Sequence, residues 1–239
     1  MTTEPDVPDA RSLFLLACSP RVGGNCDHAA ALFARGWTYA SKCAPHAEEL
    51  VSRNLRDFRV SPCLDCGSCA RMARRAADAG SGPGLNWAWE EPAPGGVLGC
   101  PQRPGDDSPY LLKALARAGS LVIVAPIYFY HLPAQLKALV DRTQPFWLMS
   151  RAGRPNLFPQ VRHCHTILLG ARKKGDKLFE GSLLSLRYAL APLGIQLAEP
   201  LLLYGLERPS DLSEHPEYGQ KILAYAAAAA AQGPGAVSR

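Results

Sequence analysis

The sequence has no apolar run long enough to cross a bilayer as a helix. Its opening residues carry Glu4, Asp6 and Asp9 and no basic stretch leading into an apolar one, so no secretory leader is expected. Neither sign of charge dominates. A formal net charge of +5 is too diffuse for a nucleic-acid surface. No Gly-Lys-Ser/Thr is present, which excludes a triphosphate loop, and no Gly-x-Gly-x-x-Gly, which excludes the dinucleotide fingerprint. No Ser/His/Asp set and no carboxylate pair stands out, so the chemistry is expected to come from a bound group. Neither a membrane nor a nucleic acid is an expected partner.

What is present is an ordinary globular composition, 47% hydrophobic and 20% charged, in 239 residues, enough for one sizeable core. Eight cysteines in a chain expected to have no leader point to a reducing cytoplasm, where clustered thiols are expected to do metal or redox work. Cys18, Cys43 and Cys164 are expected to pack as small apolar residues.

Strand-like and helix-like segments alternate along the chain. Leu13–Cys18 reads as a strand covered on both faces, followed by a helix from Asn25 to about Tyr39. Ala47–Leu55 is a more polar strand suited to a sheet edge. Pro109–Ala118 reads as a helix, Leu121–Pro126 as a central strand, and Pro133–Arg142 as a helix with proline in its first turn. Thr166–Gly170 is a fourth strand, Gly181–Leu193 a helix, Ile195–Leu203 a last strand and Tyr218–Ala231 a last helix. Such alternation implies a doubly wound parallel sheet with helices on both faces and ligands beyond the carboxyl ends of the strands. The domain spans 10–232, with a cysteine-motif region and inserted loop at 61–107 and flexible tails at 1–9 and 233–239. The stretch Arg71–Gly99, rich in glycine and proline and carrying Trp87 and Trp89, breaks the rhythm as a lid, a contact surface or a mobile segment would.

Two stretches lie where ligands are expected. Ser19-Pro20-Arg21-Val22-Gly23-Gly24-Asn25-Cys26 follows the first strand: a hydroxyl, a cation and two glycines lead into a helix start, an anion-binding arrangement. Pro126-Ile127-Tyr128-Phe129-Tyr130 follows the central strand and offers backbone and aromatic surface to a flat ring. A third feature is Cys63-x-x-Cys66-x-x-Cys69, with Cys100-Pro101 further on. This spacing suits an iron–sulfur site on a turning loop, with Cys100 as fourth ligand. Bare thiols, a zinc site and a redox disulfide remain open alternatives.

Together these motifs, with Pro126–Arg142 read through, resemble the flavodoxin-like NAD(P)H-dependent FMN reductases, and among them the iron–sulfur flavoproteins, from about Leu13 to Tyr225. The resemblance implies a five-stranded sheet in the order 2-1-3-4-5 and a bound FMN. Ser19, Arg21, Asn25 and the backbone at Cys26 would hold its phosphate, with Gly23 and Gly24 shaping the loop. Pro126, Ile127, Tyr128, Phe129 and Tyr130 would line its ring, and Gly170, Ala171 and Arg172 would form a third flavin-side loop. It further implies a [4Fe–4S] cluster on Cys63, Cys66, Cys69 and Cys100, a homodimer or tetramer, and NAD(P)H or a ferredoxin as electron donor. Cys26 stands where the family usually has a hydroxyl residue, and Ala171 where a second glycine is common. In the family the fourth cysteine follows the third closely, whereas here the insertion separates Cys69 from Cys100. Arg172-Lys173-Lys174 could meet an NADPH phosphate or an acidic ferredoxin, or be a solvated loop. The expected function is an FMN oxidoreductase carrying the cluster. The alternatives are a cluster-free NAD(P)H-dependent FMN or quinone reductase, a single-electron carrier, and a zinc-holding module without redox chemistry.

Overall fold

The computed structural model describes residues 7–42, 49–78, 105–151 and 161–232. Cys43, Trp87, Trp89 and Cys100 lie outside them, as do 1–6 and 233–239 of the expected tails. Asp9 is tied into the domain: its carboxylate accepts the Arg11 N–H and the Ser12 hydroxyl, and its carbonyl accepts the Gly119 N–H.

The sheet is parallel. Its strands β1 (Ser12–Ala17), β2 (Glu49–Asn54), β3 (Ser120–Pro126), β4 (Arg162–Leu169) and β5 (Ile195–Leu197) lie in the order β2-β1-β3-β4-β5. β6 (Leu201–Leu203) also pairs with β4. This is the doubly wound flavodoxin-like arrangement. β1 and β3 are apolar after their opening serines, Ser12 and Ser120, because side chains alternate between two covered faces. Leu13, Leu15, Ala17, Val122 and Val124 pack on one face, under α1 (Asn25–Ser41) and α8 (Pro216–Gln232). Phe14, Leu16, Leu121, Ile123 and Ala125 pack on the other, with α3 (Ser108–Arg117), α4 (Ala134–Asp141) and α6 (Glu180–Leu190). The alanine run near the C-terminus does more than favour helix. A Cβ on Gly36 of α1 would lie 3.0 Å from the Ala226 Cβ, so small residues on both helices permit close packing.

The single last strand expected over Ile195–Leu203 is two short ones, and the reason is a bulge. Cys164 pairs with Leu197 and Ile167 with Leu201, so the outer strand spends Ala198, Glu199 and Pro200 where β4 spends His165 and Thr166. Tyr225 of α8 repairs the gap: its hydroxyl accepts the Thr166 N–H at 3.2 Å and donates to the Glu199 carbonyl at 2.8 Å.

Three further helices are absent from the sequence reading. α2 (Ser68–Asp78) opens inside the cysteine motif, α5 (Gln144–Arg151) follows α4 after a break, and α7 (Asp211–Glu214) is a single turn before α8. α2 and α5 meet through Ala73 and Met149. The base of the inserted region is clamped. The Asp107 N–H donates to the Arg59 carbonyl and the Arg59 N–H to the Asp107 carboxylate, and buried Arg142 pairs with the enclosed Asp106 carboxylate at 2.9 Å while donating to the Ser61 carbonyl. Residues 61 and 106 are thereby held together across the insertion.

Candidate functional site

A cleft of about 200 Å³ opens at the carboxyl ends of the strands. The loop after β1, the loop after β3, the first residues after β4 and those after β6 surround it, as the geometry of an open parallel sheet dictates.

The loop after β1 enters α1 through Gly23, at φ +66°, and Gly24, the N-cap residue. No side chain caps the helix. Its first N–H groups, at Asn25, Cys26 and Asp27, have no acceptor within the helix and carry the positive end of its dipole. The Gly23 N–H is taken by the Asp27 carboxylate at 2.7 Å. That acid would oppose an anion, but Arg56 neutralises it through two contacts of 2.8 and 3.0 Å. Arg56 also donates to the Ser19 and Arg21 carbonyls at 3.4 Å, and so holds the loop from outside. Arg21 reaches the Glu207 carbonyl at the rim of the cleft.

Ser19 is buried and its hydroxyl accepts the Arg21 N–H. Cys26 is buried beside it. Burial first, and then the Asp27 charge, push the Cys26 thiol up to about 12, against the opposing pull of Ser19, Arg21 and Arg56. At neutral pH the thiol is therefore uncharged and does not repel an anion. The Asn25 side chain is committed elsewhere: its amide nitrogen donates to the Arg208 carbonyl at 2.8 Å and its oxygen accepts the Leu212 N–H at 2.9 Å. What Asn25 offers the cleft is its backbone N–H. Its side chain clips the segment after β6 against the phosphate-type loop.

The loop after β3 is a tight hairpin. Tyr128 and His131 exchange both backbone hydrogen bonds at 3.0 Å, with Phe129 at φ +50° and Tyr130 at φ +65° between them. Left-handed backbone at two aromatic residues costs about 1–2 kcal/mol each. The hairpin is held by the His131–Ser185 contact of 3.0 Å and by Arg172, whose guanidinium lies 5.5 Å over the Tyr130 ring. Phe129 is fully exposed.

Ser19, Arg21, Gly24, Asn25, Cys26, Pro126, Ile127, Tyr128 and Ala171 all line the cleft. Gly23, Phe129, Tyr130, Gly170 and Arg172 flank it without lining it. Leu169, Leu206 and Glu207 line it too and escaped the sequence reading, although the end of the last strand is where a further wall should be sought. Asp211 fixes that wall by accepting the Glu207 and Arg208 N–H groups at 2.8 and 2.7 Å.

Cys63, Cys66 and Cys69, the described members of the expected ligand set, are not gathered as one. Among the described residues no group of three or more His, Cys, Asp or Glu side chains converges as a metal site requires. Ser68 starts α2 and carries Cys69 into its first turn, whereas Cys63 and Cys66 stand exposed on the preceding chain. The Ser68 hydroxyl lowers the Cys66 thiol while burial raises that of Cys69, so the thiols do not share one environment. Cys100, the expected fourth ligand, lies outside the described residues.

The family model for the flavodoxin-like fold matches residues 75–226, more than half of the chain. The chain belongs to this family. The matched span begins after β1, so the anion-type loop lies ahead of it. A comparison with curated proteins gives no match. Among solved structures, the fold resembles an NAD(P)H:quinone oxidoreductase from Methanothermobacter marburgensis, with 16% identity, a TM-score of 0.53 and coverage of 92% of this chain and 96% of that one. It also resembles an FMN-dependent NADH-azoreductase from Bacillus anthracis, solved with FMN, at 15% identity and a TM-score of 0.54, covering 92% and 99%. An oxidoreductase from Corynebacterium diphtheriae is 10% identical, with a TM-score of 0.51 and coverage of 92% and 95%. At these identities the likeness concerns the fold.

Proposed function

We propose that this protein is an FMN-dependent oxidoreductase that takes electrons from NAD(P)H and delivers them to a small acceptor such as a quinone, without an iron–sulfur cluster. The observation that carries the reading is a single cleft joining an uncapped helix start to an aromatic hairpin, an anion site and a ring site within one small volume. When bound, FMN would accept two electrons and a proton from the nicotinamide and pass them on.

The residues would divide the work of holding it. The Ser19 hydroxyl, the Asn25 and Cys26 N–H groups and Arg21 suit the phosphate, with Arg56 cancelling the Asp27 charge behind them. Pro126, Ile127 and Tyr128 suit the ring edge and face, and the strained hairpin sets where Phe129 and Tyr130 stand. Gly170, Ala171 and Arg172 would complete the third side. The likeness to proteins named as quinone oxidoreductase and azoreductase supports this chemistry.

The cysteine region has no step in this scheme. Its three described thiols do not converge as a ligand group, and the likeness to a quinone oxidoreductase and an FMN-dependent azoreductase supports the cluster-free alternative.

The test is reconstitution. Protein isolated without oxygen and offered FMN should retain about one flavin per chain through gel filtration and oxidise NAD(P)H with a soluble quinone present. Iron should be negligible, and Cys63→Ser should leave the visible spectrum unchanged. Failure to retain flavin overturns the reading; stoichiometric iron that Cys63→Ser removes overturns its cluster-free part.

A further inference from the structure

Beyond the cleft, the segment following β4 concentrates positive charge. Arg172, Lys173, Lys174 and Lys177 fall within six positions, with only Asp176 among them. All four are exposed. None of them takes part in an ion pair among the described residues, where the pairs formed are Arg56–Asp27, Lys137–Asp141, Arg142–Asp106, Arg208 with Asp211 and Glu214, and His215–Glu217.

Arg172 among them is positioned rather than merely solvated. Ala171 lines the cleft, so Arg172 stands at its rim. The Arg172 guanidinium rests 5.5 Å over the Tyr130 ring, and its carbonyl accepts the Gly205 N–H at 3.0 Å. The backbone is thus tied to the wall after β6, while the head group is oriented by the hairpin. An arginine held by a ring loses less freedom when it grips an anion. Arg21, the cation of the inner loop, belongs to the anion site at the α1 terminus, so the rim cations form a separate set.

We infer that Arg172 and Lys173 form a phosphate-recognising rim that selects the 2′-phosphorylated dinucleotide, making NADPH rather than NADH the preferred donor. The inference rests on the flavin reading above and names the donor class for that site. A small dianion fits better than an acidic protein. The cations lie within one short loop, and the surrounding surface carries exposed Asp176, Glu180 and Glu207, which would oppose a broad acidic partner.

The test uses the FMN-loaded protein. Adenosine 2′,5′-bisphosphate and adenosine 5′-monophosphate are titrated calorimetrically, and kcat/KM is measured with NADPH and NADH. The 2′-phosphate should strengthen binding by about tenfold or more at low salt, as charge-assisted contacts to a dianion do, and the gain should shrink as salt rises. Arg172→Ala and Lys173→Ala should each lower the NADPH-to-NADH ratio of kcat/KM, Arg172→Lys should restore part of it, and the double alanine variant should bring it near unity. Equal binding of the two nucleotides overturns the inference, and so does a preference that survives the double variant. A defect of that variant confined to an acidic protein partner also overturns it. FMN content is read from the spectrum of each sample. Loss of FMN from the unaltered protein sinks the flavin reading, whereas flavin-loaded protein blind to the 2′-phosphate sinks this inference alone.

Discussion

At the scale of single residues, the loop after β1 is defined by what its side chains do not do. Gly24 leaves the helix start uncapped, Asn25 spends its amide on the segment after β6, and Cys26 stays protonated. The backbone and Ser19 are what remain for a phosphate. A serine at position 26 would replace a weak S–H donor with a hydroxyl beside Ser19. Cys26→Ser should therefore tighten FMN binding by about fivefold, the value of one net hydrogen bond near 1 kcal/mol. Fluorescence titration of apoprotein with FMN reads the change, and weaker binding would show that the pocket needs sulfur's bulk. Ser19, Gly23 and Gly24 were legible because their types announce a phosphate turn. The engagement of Asn25 was not, since Arg208 and Leu212 are remote in sequence and only folding brings them to it.

At the scale of elements, the bulge between β5 and β6 depends on one side chain of a distant helix. Tyr225→Phe keeps the ring and its edge contact with Phe33 but strands the Thr166 N–H in the core. A buried donor without an acceptor costs about 1–3 kcal/mol. Urea unfolding should show that loss as a lower midpoint with an unchanged slope. The strand pattern over Ile195–Leu203 looked continuous because every second position is apolar or tolerant. Nothing local marks the extra residue except Pro200, which cannot donate to a ladder. The cysteine segment hides a helix for a similar reason. Cys-x-x-Cys-x-x-Cys reads as a cluster loop, while the helix signal of Ser68-Cys69-Ala70-Arg71-Met72-Ala73 overlaps it and wins the last cysteine for α2.

At the scale of the whole molecule, the insertion is closed by a buried ion pair. Asp106 and Arg142 are almost fully enclosed, and Asp106 also accepts the Ser108 N–H and hydroxyl. Asp106→Ala would remove this carboxylate from beside the buried Arg142 guanidinium at a cost of about 3–5 kcal/mol. Thermal unfolding measures it, and a cost below 1 kcal/mol would mean that water reaches the pair. Two pH windows follow from the buried groups. Burial, reinforced by the charge of His163, depresses His165 to about 4, below its ordinary 6.5. The unfolded chain therefore takes up this proton first, so stability is full above about pH 6.5 and declines towards pH 4. Asp106 is the second case. Burial works to raise its carboxyl, but hydrogen bonds from Ser108 and Arg142 outweigh this and lower it below 3.8. Its contribution is present above that value and lost only in stronger acid. Urea midpoints against pH should fall in the upper window for the native protein and flatten there for His165→Gln.

The order of strands and helices, the largely buried central strands and the two loops facing the cleft follow from local pattern, because hydrophobic period and turn chemistry are properties of neighbours in sequence. The third wall at Leu206 and Glu207, the Arg56 brace, the Tyr225 repair and the dispersal of the cysteines were decided by folding. Each depends on groups tens of residues apart meeting at one depth in the sheet, and distance along a chain carries no record of distance through space.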